Sequence, residues 1–417
     1  EYIQSTTFLW IYQIFQLIIL PNFKFNCRTF CYIFVYVILI QISLEARYTK
    51  TFHEQLSGPQ YAERLWNRVK QLQIEVKTGT MVMAIEKDRT VTYVNPEEGY
   101  TTIQAGAIIL CVGCYERSRG ALGIPGERPA GIYTAGQAQR YLNIDGYLVG
   151  KKVFILGSGD IGLIMARRMT LEGATVEGVA ELMPYSNGLP RNIKQCLEDF
   201  GIPLFLSHTV TKIFGHDRLE CIELTQVDEN RQPIAGTERM FDVDTLLLSC
   251  GLIPENHLGD ACGIEMDPHI KGPLVDADYM TSVPGIFACG NGLHVHDLAD
   301  FVVHQATLAA QGCARYLQGV KSMQKEVHTK AGQNVGYVVP GLLHVDSLPK
   351  IVEFYFRVRK PIHNGTIVLS SGDTVIRSIR KAYLIPSEME SVVLAGTQLQ
   401  NLTDDLVIEV KEGEQDD

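Results

Sequence analysis

The run Gly157-Ser158-Gly159-Asp160-Ile161-Gly162 constrains this chain more than any other feature. It follows an apolar, strand-like stretch at 152–156 and precedes residues 163–172, whose apolar spacing is helical and which stop at Gly173. Each glycine has a distinct use in that context. Gly157 permits a tight turn from strand to helix, Gly159 lets backbone approach a diphosphate, and Gly162 lets the helix pack close to the strand. The helix N-terminus adds N–H groups and the positive end of its dipole. The second strand, 175–180, ends at Glu181, nineteen residues past Gly162, where a carboxylate accepts both ribose hydroxyls of an adenosine. No arginine follows Glu181 directly, so NAD is expected over NADP.

The alternation continues with a helix at 193–200 closed by Gly201, then strands at 203–206, 219–226 and 245–250 before Gly251. Strands and helices at this spacing predict a doubly wound parallel sheet over 151–253. The stretches 102–113 and 241–251 share a polar turn, an apolar strand and a closing glycine, Gly113 in the first. Two closing strands point to two nucleotide-binding units, although the chain has a single glycine-rich opening. Upstream, Ser57-Gly58-Pro59 reads as a helix entry, with strands at 74–78, 81–85 and 90–94. Past residue 335, β-branched stretches separated by Gly, Pro and Asn predict a small, mainly β C-terminal domain.

Residues 281–291 (TSVPGIFACGN) end a strand just before a helical stretch. They resemble the second flavin motif of the pyridine nucleotide–disulfide oxidoreductase superfamily, with Asn291 in place of its final Asp. The resemblance covers about residues 53–320 and includes the 107–113 strand, the 157–162 loop and 245–254 (TLLLSCGLIP). The run 113–141 is similar to flavoprotein subunits of sarcosine oxidase-like, opine oxidase-like and cyanide-forming amine dehydrogenases. Membership implies FAD as well as NAD, with hydride passing between nicotinamide C4 and flavin N5. It also implies that Gly113, Gly290 and Asn291 face the flavin, Asn291 bonding ribityl or phosphate oxygens. A helix from about Asp297 would aim its N-terminus at the flavin's pyrimidine edge. His294 and His296, next to that end, are candidate proton relays near neutral pH, or else simply hydrogen-bond the loop. One departure matters: the family opens with its own strand–GxGxxG–helix unit, and residues 1–80 contain none.

The expected fold class is therefore α/β. A doubly wound, parallel-sheet NAD domain (151–253) is inserted in an incomplete FAD domain (45–150 and 254–325). An atypical apolar segment (1–44) precedes it and the β-rich domain (333–417) follows. The formal net charge of −10 weighs against a nucleic-acid partner. The apolar runs within 1–44 fall short of the roughly 20 residues a membrane span needs. Ten scattered cysteines fit a reduced, cytoplasmic protein. Cys111 and Cys114 have redox-pair spacing but read as structural thiols, and Cys27 with Cys31 lack partners for a zinc site. Glu116, Arg117 and Arg119 read as a solvated or interdomain loop. No metal site is expected. The leading expectation is an FAD- and NAD-dependent oxidoreductase of a small-molecule substrate. The competing ones are a truncated, non-catalytic NAD-binding homologue and a flavoprotein subunit with a partner dehydrogenase subunit.

Overall fold

The computed structural model describes residues 17–20, 32–34, 51–54, 56–320 and 325–413. Most of the 1–44 segment, with Cys27 and Cys31, lies outside the described residues. The chain divides into two compact units, Glu1–Cys114 with Pro254–Asp417, and Tyr115–Ile253.

In the Tyr115–Ile253 unit five strands form one sheet in the order Leu204–Leu206, Thr175–Glu181, Lys152–Leu156, Thr245–Leu248, Ile132–Thr134, every adjacent pair parallel. The central strand, KVFIL, is buried at all but its first residue, as an unbroken apolar run covered on both faces should be. Helices Asp160–Leu171 and Ala135–Asn143 cover one face, packing Leu163, Met165, Met169 and Ala138 against Val153 and Ile155. A side chain such as Ile155, fully buried, contributes about 1.5–3 kcal/mol. The other face, Phe154 and Leu156, packs on an antiparallel meander of His208–Phe214, Cys221–Gln226 and Arg239–Asp242. The boundary expected at 151 falls inside this unit, because Ile132–Thr134 extends the sheet beside Thr245–Leu248.

In the other unit Ala107–Leu110 is wholly buried and pairs in parallel with Ile286–Ala288. On its other side it pairs antiparallel with Leu17–Leu20, which is followed in the sheet by Tyr32–Phe34 and Glu75–Val76. Met81–Ile85, Thr90–Asn95 and Gly99–Gln104 form a separate antiparallel meander. Helix Ala299–Leu317 places Ala309 and Cys313 in a core with Ile108 and Phe287. Residues 325–413 are mainly β, as expected, with a five-stranded and a three-stranded sheet around Phe354, Phe356, Leu369 and Ile408. Among the described residues no helix is long and apolar enough to cross a membrane, and no group of three or more His, Cys, Asp or Glu is placed to hold a metal ion.

Candidate nucleotide and flavin sites

The glycine turn lies at the C-terminal end of Lys152–Leu156, beside the end of Thr245–Leu248. Gly157 has φ +99°, and a Cβ there would lie 2.1 Å from the Ser249 carbonyl oxygen. Its N–H donates to the Ala180 carbonyl (2.7 Å). A Cβ on Gly162 would lie 2.7 Å from the Gly157 oxygen, so this position too admits only glycine without a shift. Gly159 is different: it caps helix Asp160–Leu171, and its Cβ would meet nothing closer than Ser249 Oγ at 3.5 Å. Space for a ligand therefore lies at the residue whose backbone is meant to approach one.

Ser158 is fully buried, and Glu181 holds it. Glu181 Oε2 accepts from the Ser158 N–H (3.0 Å) and Oγ–H (2.6 Å), and its Oε1 accepts from the Met183 N–H (3.0 Å). Ser158 Oγ accepts in turn from the Asn187 N–H (3.0 Å). The Glu181 carboxylate, 5% exposed, thus braces the glycine loop at the strand end expected to meet a ribose. Asp160 Oδ1 accepts from the Leu189 N–H (2.9 Å) and the Asn192 amide (2.7 Å), tying residues 186–192 to the first helical turn. Two residues that sequence reading did not single out complete the site. Ser249 Oγ accepts from the Gly162 N–H (3.0 Å). Burial pushes the Tyr185 hydroxyl up, with the charges of Arg231 and Glu181 acting on it in opposite senses. Gly251, at φ +96°, accepts at its carbonyl from the Arg117 N–H (3.2 Å).

Glu116, expected in a solvated or interdomain loop, ends strand Cys114–Glu116, and its carboxylate accepts twice from the Gly136 N–H (2.9 and 3.0 Å) at the start of helix Ala135–Asn143. Negative charge is favourable there, although burial pushes its pKa up.

On the flavin-like side, Gly113 (φ +75°) and Gly290 (φ +67°) follow neighbouring parallel strands. A Cβ on Gly292 would lie 2.6 Å from Val112 Cγ2, so the two loops touch. Asn291 Oδ1 accepts from the His296 N–H (3.0 Å). Gln305 organises the rest: its Oε1 accepts from the Gly290 N–H (2.7 Å) and His296 Nε2 (2.9 Å), while its amide donates to His294 Nε2 (2.7 Å). That network puts the His294 proton on Nδ1 and the His296 proton on Nε2. Burial pushes the pKa of His294 well below the usual histidine range and that of His296 down to about 4, so both are neutral at pH 7. The Nδ1 atoms of both rings are buried with no hydrogen-bond partner among the described residues. The helix expected from about Asp297 begins at Ala299. The Asp297 carboxylate accepts from Arg357 and from the Met389 N–H (2.7 Å), both in the β-rich region.

The residues fit the two nucleotides unequally. For NAD, the turn, the open Gly159 and the helix N-terminus are all present. For FAD, Gly113, Gly290, Asn291 and the unpaired histidine nitrogens are present. A second phosphate-cradling turn, beside Ala107–Leu110, is not found among the described residues, and the strand there is Leu17–Leu20, running antiparallel.

A family model described as pyridine nucleotide-disulphide oxidoreductase matches residues 39–312. An opine oxidase subunit from Agrobacterium tumefaciens is 23% identical over 315 residues, 70% of this chain and 60% of that protein. NADH oxidase of Methanocaldococcus jannaschii is 28% identical over 174 residues, 40% of this chain and 35% of that protein. The chain thus spans 60% or less of these two curated relatives. Among solved structures, T. acidophilum thioredoxin reductase superposes with a TM-score of 0.53 at 22% identity, covering 66% of this chain and 85% of that one.

Proposed function

Because this chain belongs to the pyridine nucleotide-disulphide oxidoreductase family, whose members use FAD and NAD(P)H, we propose that it binds NAD(H) at the 157–162 turn and serves a nicotinamide–flavin oxidoreductase. The observation that carries the proposal is Gly157 at φ +99° against Ser249, with Gly159 open at the mouth of a twelve-residue helix. Backbone amides there face a diphosphate, and Glu181 keeps the loop in shape through Ser158. The bound nicotinamide supplies or receives a hydride. Glu181, with no arginine directly after it, favours NAD over NADP. On the flavin-like side Gly113, Gly290 and Asn291 are the proposed cofactor contacts. His294 and His296, held neutral, are the proposed polar partners of a bound group through their free Nδ1 atoms.

Two observations favour narrower readings. The antiparallel Leu17–Leu20 beside Ala107–Leu110 supports an NAD-binding homologue without flavin chemistry. The similarity to an opine oxidase component supports a chain that works on an amine-type substrate beside a partner dehydrogenase subunit. Titration of the purified chain with FAD, followed by visible absorbance and NADH:dye reductase assay, separates these readings. Stoichiometric flavin uptake with dye reduction supports the oxidoreductase. NADH binding with a colourless, inactive protein leaves the binding homologue. Activity that appears only with a co-purifying chain supports the hetero-oligomer.

A further inference from the structure

Cys111 and Cys289 are 178 residues apart in sequence, yet their Sγ atoms lie 3.4 Å apart. The fold explains this. Ala288 is paired with Leu110 across parallel strands, and Cys289 and Cys111 are the next residues on each. The Cys289 N–H still donates to the Leu110 carbonyl (3.1 Å), so the ladder has not diverged where the two thiols stand. Neighbouring strands run about 4.8 Å apart. That separation lies within the roughly 4.4–6.8 Å between Cα atoms that a disulfide spans. Forming the roughly 2.05 Å bond asks each sulfur to move well under an ångström. Cys114, whose spacing to Cys111 is the redox-pair spacing, lies beyond the left-handed Gly113. No disulfide joins the described cysteines.

We propose that Cys111 and Cys289 form a dithiol–disulfide site, oxidised by low-molecular-weight disulfides of the glutathione type. Access sets the order of events. Cys111 is partly exposed and Cys289 is 1% exposed, so the incoming disulfide meets Cys111 first. The Cys111 sulfur, its proton lost, attacks one sulfur of the oxidant. A mixed disulfide forms and one small thiol leaves with a proton. Cys289 then attacks the Cys111 sulfur of that mixed disulfide, giving up its own proton, and the second small thiol leaves. In sum, two protein thiols are oxidised to one disulfide and one small disulfide is reduced to two thiols. The hydrogen bond that the Cys289 S–H makes to the Cys111 sulfur, together with burial, pushes the Cys289 thiol up, so Cys289 enters as the second, resolving thiol. The bond ties together the loops carrying Gly113 and Gly290, so its state is felt at the residues expected to face a flavin. The site itself requires no bound nucleotide.

The test uses the full chain, reduced and then incubated with glutathione disulfide under native conditions, followed by alkylation and non-reducing peptide mass spectrometry. The wild type should lose two hydrogens (about 2 Da) and yield a peptide linking Cys111 to Cys289. Cys114→Ser should yield the same peptide. Cys289→Ser, checked for folding by circular dichroism, should stop at a lasting glutathione adduct on Cys111. The proposal is overturned if the wild type keeps that adduct, links Cys111 to Cys114, or shows no change at Cys111. Because the wild type alone gives these outcomes, a misfolded variant does not rescue or sink it.

Discussion

The two closing strands, Thr245–Leu248 and Ala107–Leu110, look alike in sequence and differ in what they meet. After the first, Ser249 abuts Gly157, and a parallel βα turn opens a helix N-terminus. After the second, Cys111 abuts Cys289, and the flanking strand is the antiparallel Leu17–Leu20. A closing strand is thus only half of a nucleotide site. The other half is a glycine turn, and Gly157 shows why it must be glycine. Its φ and its 2.1 Å approach to the Ser249 oxygen exclude any side chain.

The units should also fail separately, for different reasons. Arg357 is the largest lever on the unit of Glu1–Cys114 with Pro254–Asp417, the first unit. It donates to Val295 O (3.1 Å), Pro386 O (3.1 Å) and Ser387 O (2.8 Å) as well as to Asp297. Arg357→Met should cost up to about 3–5 kcal/mol, since it takes the cation from the half-buried Asp297 carboxylate and leaves it only the Met389 N–H. Hydrogen exchange should show lost protection over 286–317 and 351–395 with 152–181 unchanged. Equal losses in both units would break the comparison. Gly157→Ala should do the converse, with backbone strain of about 1–3 kcal/mol and a forced shift of the Ser249 carbonyl confined to the Tyr115–Ile253 unit, and NADH binding lost with it. Glu116→Ala should cost about 1 kcal/mol through the start of helix Ala135–Asn143, read as faster exchange there.

Acid sets opposing effects against one another and gives the finest distinction. His294 and His296 are buried neutral, with pKa values below those of the unfolded chain. Between about pH 6.5 and about 4 the unfolded state binds the more protons, so stability falls as pH falls. Asp276, raised by burial to about 7, binds its proton more tightly when folded and so opposes this loss in the same window. Asp276→Asn should therefore steepen the acid loss of the first unit, and His296→Asn should flatten it. The described part of Tyr115–Ile253 holds no buried histidine, and its exchange should change less from pH 7 to 5.

Local signals made the NAD-type unit legible. The glycine spacing, the KVFIL run and the strand ending at Glu181 each declare themselves within a few residues, and the structure has them in register. Ile132–Thr134 was not legible, because three residues carry no period and the pairing partner, Thr245–Leu248, lies far along the chain. His208–Phe214 was not legible either, because its buried residues Val210 and Ile213 are three apart across a bulge and so break the alternation a strand should show. Side-chain partners were the hardest to read. Nothing local links Cys111 to Cys289, Asp297 to Arg357 or Glu116 to Gly136, since each pairing exists only once distant strands have been aligned. The same limit applies at Glu181. Its position marked it as a ribose acceptor, whereas its bonds to Ser158 and Met183 belong to tertiary structure.

The most direct test of the glycine turn as a dinucleotide cradle is calorimetric titration of NADH into the full chain and into Gly159→Val. Valine there should block the diphosphate while leaving the fold in place, since the nearest protein atom is 3.5 Å from the new Cβ. One NADH should bind per wild-type chain, and the variant should bind at least about a hundredfold more weakly, some 2.7 kcal/mol, with an unchanged melting temperature. Equal affinity in the two proteins, or no binding to the wild type, would contradict the assignment.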